Sequence, residues 1–408
     1  MKRITRLSLI ATIALAGTSQ AALALEATDF ADRLVETSKL MGVAFTYGSA
    51  SAEGDTVTIS DFTISIAGED DVEVPGDVVF TGVVETAEGG FTAERATIED
   101  VDYTDEDEGI TLNFVDIAAE GIALPAEVSV DTMLETGFNL YDRISAGPLT
   151  VSDVEGNELF AIALMEVTID EAAADGGVTS GFQVTGISAD LSAIEEPEAQ
   201  EAFATLGLEQ FNASMSGEGT WWPETGEGTV SDVSFVVDDL GSISMDFAVE
   251  GYTEALYSEL MKLNLKMAEM AEADIEMDDE QMMAMSEAMM EPLANVKLVS
   301  GALRYDDNSL FMKVLDLVGA EQGVDGETFK AGLQFMVPMA LAEVENEAFK
   351  TMVTSAVNTF IADPQNFTIS VEPEEPIAFS EFEDMEAEVE ADPFVLVDLL
   401  NVQITANQ

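Results

Sequence analysis

Along most of the chain, apolar and polar residues alternate with a period of two. Residues 56–66 read TVTISDFTISI, where Val57, Ile59, Phe62, Ile64 and Ile66 alternate with Thr, Ser and Asp except for one slip of phase at Ser60-Asp61. That period marks a strand with one face in a core, and the slip predicts a bulge. Runs of the same kind occupy 78–84, 91–103, 110–117, 149–154, 159–169 and 181–191, with Gly, Asp and Asn between them as the turns of an antiparallel meander require. The clearest unit is 211–251. Its phrases SMSGEGTWW, GTVSDVSFVV and SISMDFAVEG predict three strands, joined at 223–228 and at Asp239-Leu240-Gly241.

Helical spacing interrupts this rhythm in a few places. Residues 28–41 set Phe30, Leu34 and Met41 along one helix face, 131–144 do the same with Leu134, Phe138 and Tyr141, and 197–206 predicts a short helix closed by Gly207. After Tyr252 good helix formers run to Met290, broken only near 274–279. Pro292 turns the chain into a strand over 296–305. Helices follow over 310–321, over 326–342 with Pro338 bending or dividing it, and over 346–361, where Pro364 stops the last. A strand at 367–371, an acidic linker bracketed by Pro373 and Pro376, and a returning strand segment at 394–405 close the chain.

The expected fold is therefore α+β, a long twisted antiparallel β-sheet with a C-terminal helical segment packed on it. Its regions are an antiparallel β-rich part over 25–251, a mainly helical part over 252–362 with one strand near 296–305, and an acidic linker with returning strands over 363–408. The phrases TVTISDFTISI, PLTVSDVEG and TVSDVSFVVDD share a rhythm without a fixed period. They fit successive strands of one sheet rather than a repeat array.

The N-terminus adds a location. Lys2, Arg3 and Arg6 precede an apolar run over 7–16, and the small residues after it offer Ser19-Gln20-Ala21 or Ala22-Leu23-Ala24 for cleavage. The run is shorter than the about 20 residues that a bilayer span needs, and Glu26 and Asp29 follow it. The expectation is a signal peptide over 1–24, a periplasmic mature chain, and no transmembrane helix after cleavage. No cysteine is present, so stability in an oxidising compartment rests on packing.

Charge then narrows the partners. The chain has 81 Asp and Glu against 14 Lys and Arg, a formal net charge of -67, and the signal segment would remove three of the bases and none of the acids. Such a surface repels nucleic acid and anionic head groups. Between Ala96 and Met261 the only base is Arg143, so the carboxylates there must be hydrated or screened by cations, as in adaptation to a salty medium or in cation binding. Yet 47% of the residues are apolar and the mean hydropathy is positive, which separates the chain from acidic disordered proteins.

Catalytic chemistry finds little to stand on. Without His or Cys the commonest general base, the soft metal ligands and the usual nucleophile pairs are missing, and no Gly-rich phosphate loop or nucleophile elbow sits in a strand-to-helix context. The expectation is a protein without catalytic residues, metal or cofactor. The segment DVDYTDEDEG at 100–109 invites calcium, but its ligand spacing fails the EF-hand pattern and reads as a solvated turn.

Methionine is the other anomaly, with nine between Met261 and Met290. Met261, Leu265 and Ala268, then Met282, Met285 and Met289, recur at helical spacing and predict a flexible apolar helix face or groove. Trp221-Trp222 stands at a strand end, in a sheet corner or facing a ligand. The candidate ligand-binding residues are thus Met261, Leu265, Met282, Met285, Met289, Trp221 and Trp222.

The stretch from Leu206 to Gly251, with LGLEQF, WW and DDLGSISMDFAVEG, and the later ALRYDDNSLFMKVLDLVGAEQGV resemble uncharacterised exported proteins of alphaproteobacteria, and more distantly the YdgA-like and AsmA-like envelope proteins. The resemblance covers the C-terminal half and carries no catalytic residue. It implies a long β-sheet with a hydrophobic concave face, partly covered by helices. The expected function is non-catalytic binding of a lipid or other apolar ligand on that sheet. The alternatives are a structural or interaction protein with an envelope partner, and an acidic cation-binding protein.

Overall fold

The computed structural model describes residues 26–408 apart from 67–70, 106–108, 137–139, 171–175, 195–196, 274–278 and 343. The segment 1–24 expected to be a signal peptide lies outside the described residues. Strand makes up 41% and helix 33%, and with one large antiparallel sheet and C-terminal helices the fold is α+β. No helix among the described residues is long and apolar enough to cross a membrane.

Among the described residues twenty strands belong to the large sheet. Its ladder begins with Ser49–Glu53 beside Thr56–Ser60, passes through Val78–Thr81, Phe91–Ile98, Ala118–Leu124, Arg143–Ala146 and Leu164–Asp170, and reaches the long strand Val178–Asp190. From there Gln210–Trp222, Glu227–Val237, Gly241–Glu250, Lys297–Asp307, Asn366–Val371 and Gln403–Ala406 follow in order. Among the described residues no pairing joins the first of these strands to the last. Four further strands, Val101–Asp105, Ile110–Phe114, Leu149–Asp153 and Glu158–Ile162, prolong the middle of the ladder beyond a crease and pair with one another in the same order.

The crease is a line of backbone irregularities. Asp116, Gly186 and Asp232 all have positive φ, and the register shifts between Val184 and Ile187 and between Val230 and Val233. At Gly186, φ +64, a Cβ would stand 2.6 Å from that of Ala163, the residue between two neighbouring strands, so only glycine lets the two backbones approach there.

Several expectations change. The slip at Ser60-Asp61 is no bulge: Asp61 has φ 54 and ends the strand, and Thr63–Ile66 crosses into a separate three-stranded sheet with Val43–Thr46 and Val72–Glu73. Of the helix expected over 131–144, Val130–Thr136 is helical, 137–139 with Phe138 lie outside the described residues, and Arg143–Ala146 is a strand. Over 394–405 a helix, Phe394–Leu399, precedes the strand Gln403–Ala406, because Pro393 starts a helical turn. The helices Glu254–Glu272, Asp279–Met290, Leu310–Glu321, Gly326–Ala340 and Glu347–Ala362 stand where the spacing put them, Pro338 lying inside the fourth.

The sheet has two unlike faces. Residues that oppose each other across antiparallel strands share a face. One file runs Ala52, Val57, Phe80, Ala96, Ala119, Ile144, Val167, Phe182, Gly217. Beyond Gly217 it continues through Val233, Met245, Leu303, Ile369 and Ile404, the last strand's residue. Every member is apolar. On the other face the corresponding file reads Glu166, Gln183, Ser216, Ser234, Ser244, Arg304, Thr368 and Thr405. A chain of ion pairs and hydrogen bonds, Arg95–Glu120–Arg143–Glu166–Gln183, laces that polar face.

Helices cover the apolar face only in part. At the start Phe30 of the helix Ala27–Lys39 has no exposed surface and meets the rings of Phe80 and Phe91 edge-on at 4.9 and 5.6 Å, over Val57 and Ile59. At the far end Phe360 of Glu347–Ala362 packs on Tyr305, Phe311 and Phe367. In the middle Ile243 and Leu303 are each 49% exposed, and Met215, Met245 and Ile369 are also exposed.

Candidate functional site

A cavity of about 520 Å³ opens where helices meet the sheet. Leu40 and Met41 reach it from the end of Ala27–Lys39, Met133 from the helix Val130–Thr136, and Tyr141 from the turn before Arg143–Ala146. The wall opposite is the helix Glu254–Glu272, whose Tyr257, Leu260, Met261 and Asn264 follow the i, i+3, i+4, i+7 spacing of a single helix face. Met289, Met290 and Leu293 close one side, from the end of Asp279–Met290 and the turn after it. Ile169 belongs to the strand Leu164–Asp170, two residues from Val167 on the same face, so the cavity wall continues into the apolar sheet face.

Among the described residues the lining contains no carboxylate and no base, in a chain with 81 and 14 of them. Its polar groups are Asn264 and the hydroxyls of Tyr141, Tyr252 and Tyr257. Burial holds all three tyrosines above the ordinary phenol pKa, so they face a guest as neutral hydrogen-bonding groups. Gly42, φ +80, turns the chain after the first helix and sets its backbone against Asn264, to which a Cβ would come within 3.5 Å.

The expected site residues part company here. Met261 and Met289 line the cavity, Met261 being buried. Leu265 packs beside Leu40, Met133 and Met261 and lines the neighbouring cleft. Trp221 stands behind the cavity: its ring meets Tyr252 at 5.6 Å and Tyr257 at 5.1 Å, and its indole N–H donates to the Tyr252 carbonyl at 2.5 Å. Trp222 points to the opposite face of the strand and lies against Gly177, away from the lining residues. Met285 is half-buried outside the lining, and the side chain of Met282 lies outside the described residues. Leu40, Met133, Tyr141 and Ile169 escape a reading by local spacing, because each shares this space with the Met-bearing helices only after the sheet has formed. Tyr257, Leu260 and Asn264 were within reach, being the same helix read one position round from the Met261, Leu265, Ala268 stripe.

Among the described residues no group of three or more acidic side chains is placed to hold a metal ion. Part of the segment 100–109 considered for calcium, 106–108, lies outside them.

A family model described as an uncharacterized protein matches residues 234–407. That span includes the helical wall from Tyr252 to Leu293 and excludes the wall built by Leu40, Met133, Tyr141 and Ile169. A search of the curated proteins finds no match.

Proposed function

We propose that this is a non-catalytic periplasmic protein that holds a lipid or similar apolar ligand in the cavity between the Met-bearing helices and the sheet. The observation that carries the reading is that the described lining is uncharged in a chain this acidic. A random patch of such a surface would bring carboxylates; this one brings Leu, Ile, Met and Tyr with a single amide. Sites for small molecules are concave, mostly apolar and about 300–1,000 Å³, with a few polar groups to fix orientation. Methionine walls adapt to guests of varying shape. The half-exposed apolar face next to the cavity gives a long ligand an apolar track on which to continue.

Trp221 offers the test, since it touches two lining tyrosines. In a Trp222→Phe variant, which leaves Trp221 as the sole tryptophan, dibromostearate should quench the emission saturably. Met290→Glu, a change at a 58% exposed lining residue, should weaken that quenching about tenfold while leaving the fold intact. No saturable quenching, together with a bare protein mass in native mass spectrometry, would remove the ligand from the proposal.

A second reading draws on the helix Gly326–Ala340, where Phe335 is 84% exposed and Met336 and Met339 stand beside it. Exposed apolar side chains of this size fit contact with an envelope protein. Crosslinking from position 335 in cells should then give one discrete adduct, and a smear or none would count against it. The location itself is checked by the mass of the purified chain, which should begin near residue 25.

A further inference from the structure

The helix Gly326–Ala340 is apolar on the side that faces water. Phe329, Leu333 and Val337, half-buried and four residues apart, form its inner side, and the helix packs against Leu310–Glu321 and Glu347–Ala362. With an apolar stripe already turned inward, an ordinary surface helix is polar on the opposite side. Here that side reads Ala331, Gly332, Phe335, Met336 and Met339, all exposed, with Phe335 at 84%, Met339 at 69% and Met336 at 53%. A Cβ at Gly332 would meet nothing within 4 Å, so the described chain leaves this side open.

The stretch 328–342, TFKAGLQFMVPMALA, carries no acid and one base, Lys330, in a chain where 81 of 408 residues are acidic. Freedom from acid does not by itself mark it, since 348–362 in the next helix has none either. There, however, the exposed positions are Ala348, Thr351, Ser355 and Thr359, small or hydroxylated as contact with water favours. Of the two neighbours, Gly326–Ala340 alone turns large apolar groups outward.

Area and charge choose among the surfaces that could cover it. A free aromatic side chain offers about 150–250 Å² and a methionine no more, so these three present roughly a few hundred Å², well under the about 800 Å² per partner of a stable protein interface. A second copy would also bring its own charge of -67 against this one. A bilayer makes neither demand. It needs no matching shape, and it buries each apolar side chain that passes its head groups. The missing carboxylates suit that passage, because an ionised acid on this side would have to be desolvated.

We propose that this helix face is a docking site for a lipid bilayer, entered by Phe335, Met336 and Met339 and independent of whether the cavity holds a guest. Interfacial helices usually add Lys and Arg that attract anionic lipids. This stretch has one lysine, and the molecule as a whole repels an anionic surface, so the contact is hydrophobic and its matching surface is a zwitterionic membrane.

The test is flotation of the purified chain with phosphatidylcholine vesicles. The chain should float with them, and more strongly than with phosphatidylglycerol vesicles at about 0.01 M salt, where charges act over about 30 Å; the difference should shrink as salt is raised. Phe335→Glu and Met339→Glu should each lower the partition coefficient about tenfold without lowering the melting temperature, because both side chains are exposed. Phe335→Trp should keep the binding, and Thr351→Glu on the neighbouring helix should leave it as it was. In the Trp222→Phe background, Phe335→Glu should leave the dibromostearate quenching of Trp221 in place, so docking and the cavity ligand are read separately. No flotation with phosphatidylcholine at any salt overturns the proposal, and a discrete crosslinked adduct from position 335 beside that result assigns the face to a protein partner instead. Flotation that Phe335→Glu and Met339→Glu leave unchanged also overturns it, since another surface would then hold the vesicle. Preference for the anionic vesicles overturns the hydrophobic contact.

Discussion

Phe30 and Glu166 mark the two ways single residues secure this fold. Phe30 is fully enclosed by aromatic and branched aliphatic neighbours, so Phe30→Ala removes apolar burial and leaves a cavity that close-packed surroundings fill poorly. The expected loss is about 3–5 kcal/mol in urea unfolding. On the polar face the Glu166 carboxylate accepts hydrogen bonds from Gln183 at 2.8 Å and from Arg143 at 2.6 Å, which together hold its pKa below the usual carboxylate value. A depressed folded pKa means that this contribution is complete above the unfolded value of about 4.3 and disappears as pH falls through the lower folded value. Glu166→Gln should flatten the dependence of unfolding free energy on pH below about 4.3, measured by denaturant titration at a series of acid pH values. At this scale the sequence was a partial guide. Met261 and Met289 were legible because helical spacing is local. Tyr141 and Ile169 were not, because they stand more than 80 residues from the helix they face and nothing in their own neighbourhoods marks them.

Elements were more legible than residues wherever a cap or a breaker bounds them. Asn346 begins the helix Glu347–Ala362 by accepting the Phe349 amide at 2.9 Å, and Asp325 does the same for Gly326–Ala340 from Thr328 at 2.7 Å. Asn346→Ala should cost about 1 kcal/mol, the usual worth of such a cap, in a comparison of unfolding midpoints. Strands with one exposed face were readable from their alternation. Ala118–Leu124 was not, since AAEGIAL carries small residues on both faces and Gly121 sits in its middle with φ +68. Gly217 shows what the alternation conceals. A Cβ there would come within 2.6 Å of the Phe182 ring and 2.9 Å of Val233, so the apolar file closes over a residue that has no side chain. Gly217→Val should destabilise the long strands, lowering the melting temperature by several degrees, whereas Gly54→Ala, at a turn with open space around it, should lower it by less.

At the scale of the whole molecule, a formal charge of -67 sets the terms. The described ion pairs involve few of the carboxylates, and the remainder repel one another across the surface. Raising ionic strength from about 0.01 M to 1 M shortens the screening length from about 30 to 3 Å. The melting temperature should climb steeply over that range, and a flat or falling curve from thermal scans in sodium chloride would contradict this view of the surface. The α+β class and the long sheet were both evident from pattern, because alternation repeated through hundreds of residues leaves few other architectures. The arrangement of helices over one face was not, because hydropathy records which side of an element is apolar and not what comes to lie on it.

The ladder's order has a consequence for how such a chain becomes a protein. Nearly every strand is laid beside one made shortly before it, so neighbours in the sheet are neighbours in time for a polypeptide that emerges from its N-terminus. Short loops close at little entropic cost, and the growing edge is always the template for the next segment to arrive. Much of the ladder can thus be knitted row by row, and the distant closures, such as Lys39 to Glu272 across 233 positions, come after the strands between them.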